Sequence, residues 1–123
     1  MPAKTPEEIC GLFQRFMADG DLEGVLSVYD IEAVFLNESC ETTKSRDELR
    51  QALVPLAAAK TKFEFEIKQV VQAGEIALMH TRWKVSGAQP MTVHAVEVAR
   101  RQNDGTWRWL IGDPYTVKRE AGV

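Results

Sequence analysis

Apolar residues recur along this chain in two different periods, and the change from one to the other divides it. Ile9, Leu12, Phe13, Phe16 and Met17 come every third or fourth position and make the stripe of an amphipathic helix. Thr5-Pro6-Glu7-Glu8 supplies its start, with Thr5 as N-cap, Pro6 at the first helical position and Glu8 closing a capping box. Asp19-Gly20-Asp21 ends that helix and caps a second, shorter one whose buried face is Leu22, Val25, Leu26 and Tyr29. From Asp30 to Asn37 the pattern alternates, putting Ala33, Phe35 and Asn37 on one face of a strand and Val34 and Leu36 on the other. Glu38 to Lys44 is polar and irregular. Ser45-Arg46-Asp47-Glu48 is a second capping box, followed by Leu49, Ala52, Leu53, Leu56 and Ala57 at helical spacing. Pro55 has no N–H and crowds the carbonyl of Gln51, which predicts a kink or a stop near Val54.

Beyond this point the period is two throughout. Lys62 to Val71 alternates Phe63, Phe65 and Ile67 with Glu64, Glu66 and Lys68, and Ala73-Gly74 turns the chain. Glu75 to Val85 sets Ala77, Met79, Thr81, Trp83 and Val85 against Ile76, Leu78, His80, Arg82 and Lys84. After a turn over Ser86 to Pro90 a third long strand runs from Met91 to Arg101. Asn103-Asp104-Gly105 closes a hairpin onto the last strand. There Trp107, Trp109, Ile111, Asp113 and Tyr115 alternate with Arg108, Leu110 and Gly112, so that a carboxylate shares a face with two indoles. Lys118 to Val123 is a polar tail, expected to be loose. Helices first and an antiparallel meander last spell an α+β fold. Strands this long twist and coil. Three short N-terminal helices over such a sheet enclose a cone, and the inside of a cone is a cavity.

Composition narrows the partners. The length fits one domain, residues 1–123. With 15 Lys and Arg against 18 Asp and Glu, the net charge of −3 opposes a nucleic-acid partner, which would want a basic face. Arg100, Arg101 and Arg108 cluster on the hairpin and read as a solvated face; Arg82 falls outside by parity. Cys10 and Cys40 lack any paired spacing and read as ordinary reduced thiols. His80 and His94 stand alone, so no metal site and no cofactor are expected. No apolar run serves for export or for spanning a membrane, which leads to the expectation of a soluble cytoplasmic protein with no membrane partner. Ile76, Leu78, Val96, Val98 and Leu110 fall on the outer face of the sheet, where no helix remains to cover them. A second subunit is the natural cover, giving a two-fold homodimer.

Gly20-Asp21-Leu22-Glu23-Gly24, Tyr29-Asp30-Ile31-Glu32-Ala33, the Ser45 to Glu48 helix start and Asp104-Gly105-Thr106-Trp107-Arg108 follow one another in an order that carries a likeness. Over about residues 5–117 the chain resembles the nuclear transport factor 2-like superfamily, and within it the ketosteroid isomerase and SnoaL-like polyketide cyclase branch. The resemblance implies a cone-shaped α+β barrel, usually dimeric, with a pocket between helices and sheet. The superfamily hosts isomerases, cyclases, dehydratases, epoxide hydrolases and non-catalytic binders, so the fold leaves function open. The steroid isomerases use an aspartate base together with a tyrosine and a protonated aspartate that hold the enolate oxygen. Aligned on the motifs above, those three positions fall on Asn37, Phe13 and Glu97. Two of the three are altered, which argues against steroid isomerisation by that mechanism.

The facing of Glu97 depends on the hairpin. A two-residue Asp104-Gly105 turn places it opposite Trp109; a three-residue Asn103-Asp104-Gly105 loop with a bulge at Gly105 puts Val93, Ala95, Glu97 and Ala99 on the face of Trp109 and Asp113. The resemblance favours the bulged loop. Two carboxylates, Glu97 and Asp113, then share a pocket with Trp83, Trp109, Phe35 and Asn37. Desolvation and mutual repulsion raise a carboxyl pKa, and a neutral acid beside a charged one can move a proton on a bound carbonyl or alcohol. The expected roles are Asp113 as base, Glu97 as hydrogen-bond donor and Asn37 as orienting group. Phe13, Phe35, Trp83, Trp109 and Tyr115 complete a site for a small apolar molecule. The competing reading leaves the acids structural, the indoles as core and the domain a non-catalytic binding or dimerisation module.

Overall fold

Thr5 opens α1 (Pro6–Asp19) as its sequence predicts: its backbone is extended and its Oγ1 accepts from Glu8 N–H at 3.4 Å. Glu8 completes the cap one residue further back, accepting from Lys4 N–H at 2.7 Å. Gly20 closes the helix in the left-handed conformation, and Asp21 caps α2 (Leu22–Ser27) by accepting from Gly24 N–H at 2.9 Å. This computed structural model describes residues 2–37, 39–43, 45–86 and 90–115. The expected loose tail from Lys118 to Val123, the tip of the turn from Ser86 to Pro90 and both ends of the polar segment from Glu38 to Lys44 lie outside the described residues. After α2 come β1 (Tyr29–Phe35), α3 (Arg46–Ala58), β2 (Phe63–Ala73), β3 (Ile76–Val85), β4 (Met91–Arg101) and β5 (Trp107–Asp113).

Two local expectations are corrected. Tyr29 does not belong to the face of α2; it is the first residue of β1, opposite Trp109. Pro55 does not stop α3, which runs on to Ala58. Gln51 and Pro55 lie on the exposed side, so a carbonyl deprived of its N–H partner can meet water, while Leu53 and Ala57 stay buried and hold the last turn.

The sheet has the order β1-β5-β4-β3-β2. From β2 to β5 it is the expected antiparallel meander, but β1 lies parallel to β5. The reason is the route of the chain: after β1, α3 carries it to the far edge, and the meander returns β5 beside β1. Curvature comes from extra residues. Lys68 is unpaired between Ile67 and Gln69 of β2, Leu110 between Trp109 and Ile111 of β5, and β1 shifts register between Tyr29 and Val34. Each insertion bends its strand and increases local twist. The concave face receives Ile9, Cys10, Phe13 and Met17 of α1 and Leu49, Leu53 and Ala57 of α3, all buried.

Asp30 ties the β1 edge down. Its carboxylate is 1% exposed and takes Arg100 of β4 in a two-pronged pair, Nε at 3.0 Å and Nη2 at 2.8 Å. Gln102 Nε2 and Glu32 N–H add bonds of 2.8 Å each. Arg46 of α3 donates to the carbonyls of Leu26, Tyr29 and Asp30, fixing the junction of α2 and β1. Two arginines of the hairpin are therefore committed rather than merely solvated, Arg100 here and Arg101 to Glu75. Arg82 lies outside as expected and pairs with Glu66 at 2.6 Å.

On the convex face Val71, Leu78, Val98, Ile111 and Val34 are successive register partners across all five strands. Val71, Leu78 and Ile111 are 49%, 40% and 39% exposed, which leaves an apolar row with nothing over it among the described residues. Ile111 holds the place expected for Leu110, because the bulge at Leu110 turns the strand over.

The Asp30 cluster yields a stability prediction. Burial alone would raise the Asp30 carboxyl pKa; the bonds from Arg100, Gln102 and Glu32 N–H outweigh it and hold it below the ordinary value. A depressed folded value means stability that is present above the unfolded value and lost as pH falls through the folded one. Asp30→Asn should cost roughly 2 kcal/mol in urea denaturation at pH 7, with the two proteins converging in acid. Equal stability of both at neutral pH would count against the cluster.

Candidate functional site

The hairpin decides what faces the concave side. Gln102 N–H bonds to Thr106 carbonyl at 2.6 Å and Gly105 N–H to Gln102 carbonyl at 2.9 Å, with Gly105 at φ 84°. That is the three-residue loop with a left-handed residue before the strand resumes, a place where a Cβ would be strained. Ala99 then faces Trp109 in register, and Val93, Ala95, Glu97 and Ala99 point inward. At the very next residue of β5, Leu110, an insertion changes the parity of the strand. Gly112, not Asp113, is the partner of Glu97 and is buried; Asp113 pairs with Val96 of the outward set.

Asp113 therefore does not share the inner face with the indoles as the plain alternation predicts. It reaches the cavity only at the end of the strand, beside Pro114 and Tyr115, and its Oδ1 accepts from Tyr115 N–H at 3.1 Å. Asn37 is also corrected: it is exposed and outside the cavity. β1 ends at Phe35, and Asn37 folds the following turn, its Oδ1 accepting from Ser39 N–H at 2.9 Å and Glu41 N–H at 3.0 Å. It lines instead an open cleft of about 1010 Å³ between this turn and α3. Phe35, Leu53, Leu56 and Tyr115 border both the cleft and the inner cavity, so the two adjoin.

The inner cavity has a volume of about 210 Å³, and its lining includes the expected Phe13, Phe35, Trp83, Glu97, Trp109, Asp113 and Tyr115. An engineered cavity of about 150 Å³ accommodates benzene, so this one has room for a compact ring with a substituent. Phe13 is the hub of its wall. It meets Phe63, Trp83 and Trp109 edge-on at centroid distances of 5.2, 5.3 and 5.5 Å. Edge-to-face contact of this kind fixes ring orientation beyond what area burial alone does. Gly112 stays small for a reason: a Cβ there would lie 3.2 Å from the Phe35 ring.

Glu97 is 7% exposed and stands at the end of a chain of two bonds. Trp83 Nε1–H, which can only donate, gives its bond to Thr81 Oγ1 at 2.8 Å. The Thr81 hydroxyl donates in turn to Glu97 Oε1, at 2.9 Å. Burial pushes the Glu97 pKa up to about 8 against the opposing pull of the Thr81 bond, so at neutral pH the acid is mostly protonated. Tyr29 lies in the same lining, its hydroxyl pushed far up by burial and by the proximity of Glu97, and it stays a phenol. Trp109 Nε1 is buried with no acceptor among the described residues. Among the described residues no Lys, Arg or His lines the cavity.

The sequence pattern missed Thr81 and Tyr29. Thr81 carried a signal, a lone hydroxyl in the buried row of Ala77, Met79 and Trp83. Tyr29 carried none, because a helical and a strand reading place it equally well at that junction.

Residues 11–109 match the SnoaL-like domain family. The chain belongs to that family, within the nuclear transport factor 2-like superfamily. No curated protein sequence is close enough to count as a match. Among solved structures, a proposed calcium/calmodulin-dependent protein kinase type II association domain from Thiobacillus denitrificans superposes with a TM-score of 0.76 at 14% identity, covering 93% of this chain and 98% of that one. A ketosteroid isomerase-like protein from Erwinia carotovora atroseptica gives 0.67 at 16%, over 87% and 89% of the two chains. A proposed dehydratase of the same superfamily from Streptomyces avermitilis gives 0.67 at 18%, with the same coverage. At such identities the likeness is of fold. No described helix is long and apolar enough to cross a membrane.

The raised pKa of Glu97 makes it a stability liability at neutral pH. Its folded value lies above the unfolded one, so the native state is favoured most below about pH 4 and loses that advantage as pH rises through about 8. Glu97→Gln preserves the acceptor for Thr81 and cannot ionise. Relative to the parent, the variant should gain about 3 kcal/mol between pH 4 and pH 7, read from urea midpoints at each pH. A constant difference across that range would show that Glu97 titrates normally.

Proposed function

We propose that this chain binds a small apolar molecule bearing an oxygen function in the cavity between α1, α3 and the concave sheet. We further propose that Glu97 performs cofactor-free acid–base chemistry there, of the isomerase, cyclase or dehydratase type. The observation that carries the reading is the enclosure of Glu97 in the cavity lining with its Oε1 held by Thr81; burial raises its pKa and so favours a carboxylic acid there. A donor in an apolar, desolvated site polarises a carbonyl and holds the enolate that forms when an adjacent C–H loses its proton. Asp113 is the only other carboxylate in the lining among the described residues and is the group assigned to take that proton. Names given to two solved relatives, a ketosteroid isomerase-like protein and a dehydratase, lend support to the same class of chemistry.

A non-catalytic binding role is the second reading, and one observation favours it: Asp113 leaves the face of Glu97 and is engaged by Tyr115 N–H. Hydrogen–deuterium exchange separates the two. Acetophenone incubated with the protein in D2O should lose its methyl protons at least tenfold faster than with Glu97→Gln or Asp113→Asn, followed by proton NMR. Binding without faster exchange would leave a binding module.

A second copy of the chain is the proposed cover for the outer row of Val34, Val71, Leu78, Val98 and Ile111, burying an apolar face that a lone monomer leaves wet. Sedimentation at micromolar concentration should give a dimer, and Leu78→Glu should give a folded monomer. A monomeric parent protein removes the proposal.

A further inference from the structure

Trp83 and Trp109 stand on the same concave face and line the same cavity, yet only one of their N–H groups is satisfied. Trp83 gives its proton to Thr81 at 2.8 Å, whereas Trp109, 3% exposed, has no acceptor among the described residues. Buried indole N–H groups ordinarily find a partner, and one left without it marks a place where something is missing. None of the described residues of the lining supplies the acceptor. Glu97 Oε1 is taken by Thr81, and the rings of Phe13, Tyr29 and Trp83 around Trp109 offer faces and edges. Tyr29, its register partner on β1, has its ring centroid 5.5 Å away and no hydrogen bond to its own hydroxyl among the described residues.

We infer that Trp109 Nε1–H is a ligand-binding group, an anchor for an acceptor oxygen on a neutral apolar ligand, and that its role is hydrogen bonding rather than stacking alone. The neutrality follows from the lining, which contains no cation among the described residues: beside these a carboxylate or phosphate would be buried without a counter-charge. An indole N–H in need of an acceptor therefore selects a ketone, aldehyde, ester or ether over a hydrocarbon of equal shape. This rests on the reading of the cavity as a ligand pocket, and the test keeps the two separate.

The probes are acetophenone and cumene, which have the same outline and differ in the carbonyl. Protein labelled with 15N in its tryptophans shows its indole N–H groups directly, and Trp109→Phe identifies the Trp109 signal. Acetophenone should move that signal downfield while cumene does not, with Trp83 changing little in either case. The ketone should bind about tenfold more tightly than the hydrocarbon, a gap that closes in Trp109→Phe. The comparison within the parent protein stands even if the variant folds poorly, because Trp83→Phe and Trp107→Phe assign the same spectrum by elimination. Equal affinity for both probes with a stationary Trp109 signal overturns the anchor and leaves the pocket intact. Failure of both probes to perturb any indole overturns anchor and pocket together.

Discussion

A strand shows alternate residues to alternate faces, and it can change that assignment only by taking in an extra residue. Leu110 is that residue in β5, and the arrangement of both faces of the sheet follows from it. Before it, Trp107 and Trp109 are buried under α1. After it, Gly112 turns inward opposite Glu97, Ile111 joins the outer aliphatic row, and Asp113 swings toward the rim. Without the insertion a side chain would point to the concave side here, where the ring of Phe35 now lies over Gly112. The position is also a demanding one, since β5 is bonded on both sides, parallel to β1 and antiparallel to β4.

The second constraint is electrostatic. An acid as enclosed as Glu97 stays charged only with a partner, and the lining supplies no cation among the described residues. Burial therefore favours the neutral form of Glu97, while Thr81, which takes the Trp83 N–H, donates to its Oε1. An indole nitrogen can only donate, so the first bond of that chain runs one way. Asp30 shows the opposite solution on the other face, where a buried carboxylate remains charged because Arg100 grips it with two bonds. Two buried acids on one sheet thus stand in opposed settings: one has its pKa raised beside a hollow, the other is an ionic rivet between β1 and β4.

Much of this was legible in the residues. Capping boxes at Thr5 and Ser45, the alternation of β2 to β4 and the glycine of the Asn103-Asp104-Gly105 loop mark their elements by local chemistry, which needs no knowledge of the tertiary fold. The inward set of β4, with Glu97 in it, followed once the loop was given three residues. What the pattern could not supply depended on distant parts of the chain. Leu110 bulges because of its neighbours on β1 and β4, and the only local hint is Gly112, a residue without side chain in a strand. Pro55 is tolerated because of which side of α3 faces water. Asn37 left the site because β1 ends at Phe35, and no periodicity marks that end.

The two faces of the sheet carry different kinds of information. The convex row of aliphatics is non-directional and suits assembly, where area and shape matter more than the identity of any one atom. The concave face is sparse and directional: one acid of raised pKa, one phenol and one indole N–H set among rings that hold their orientations through Phe13. Chains only 14–18% identical share this fold while bearing names as different as a kinase association domain and a dehydratase. Fold alone therefore leaves the role of each one open. Among the described residues the concave side of this chain sets an acid of raised pKa, a phenol and an indole N–H around one hollow with no cation beside them, so its few polar atoms, and not the shape they share with those chains, carry what is particular to it.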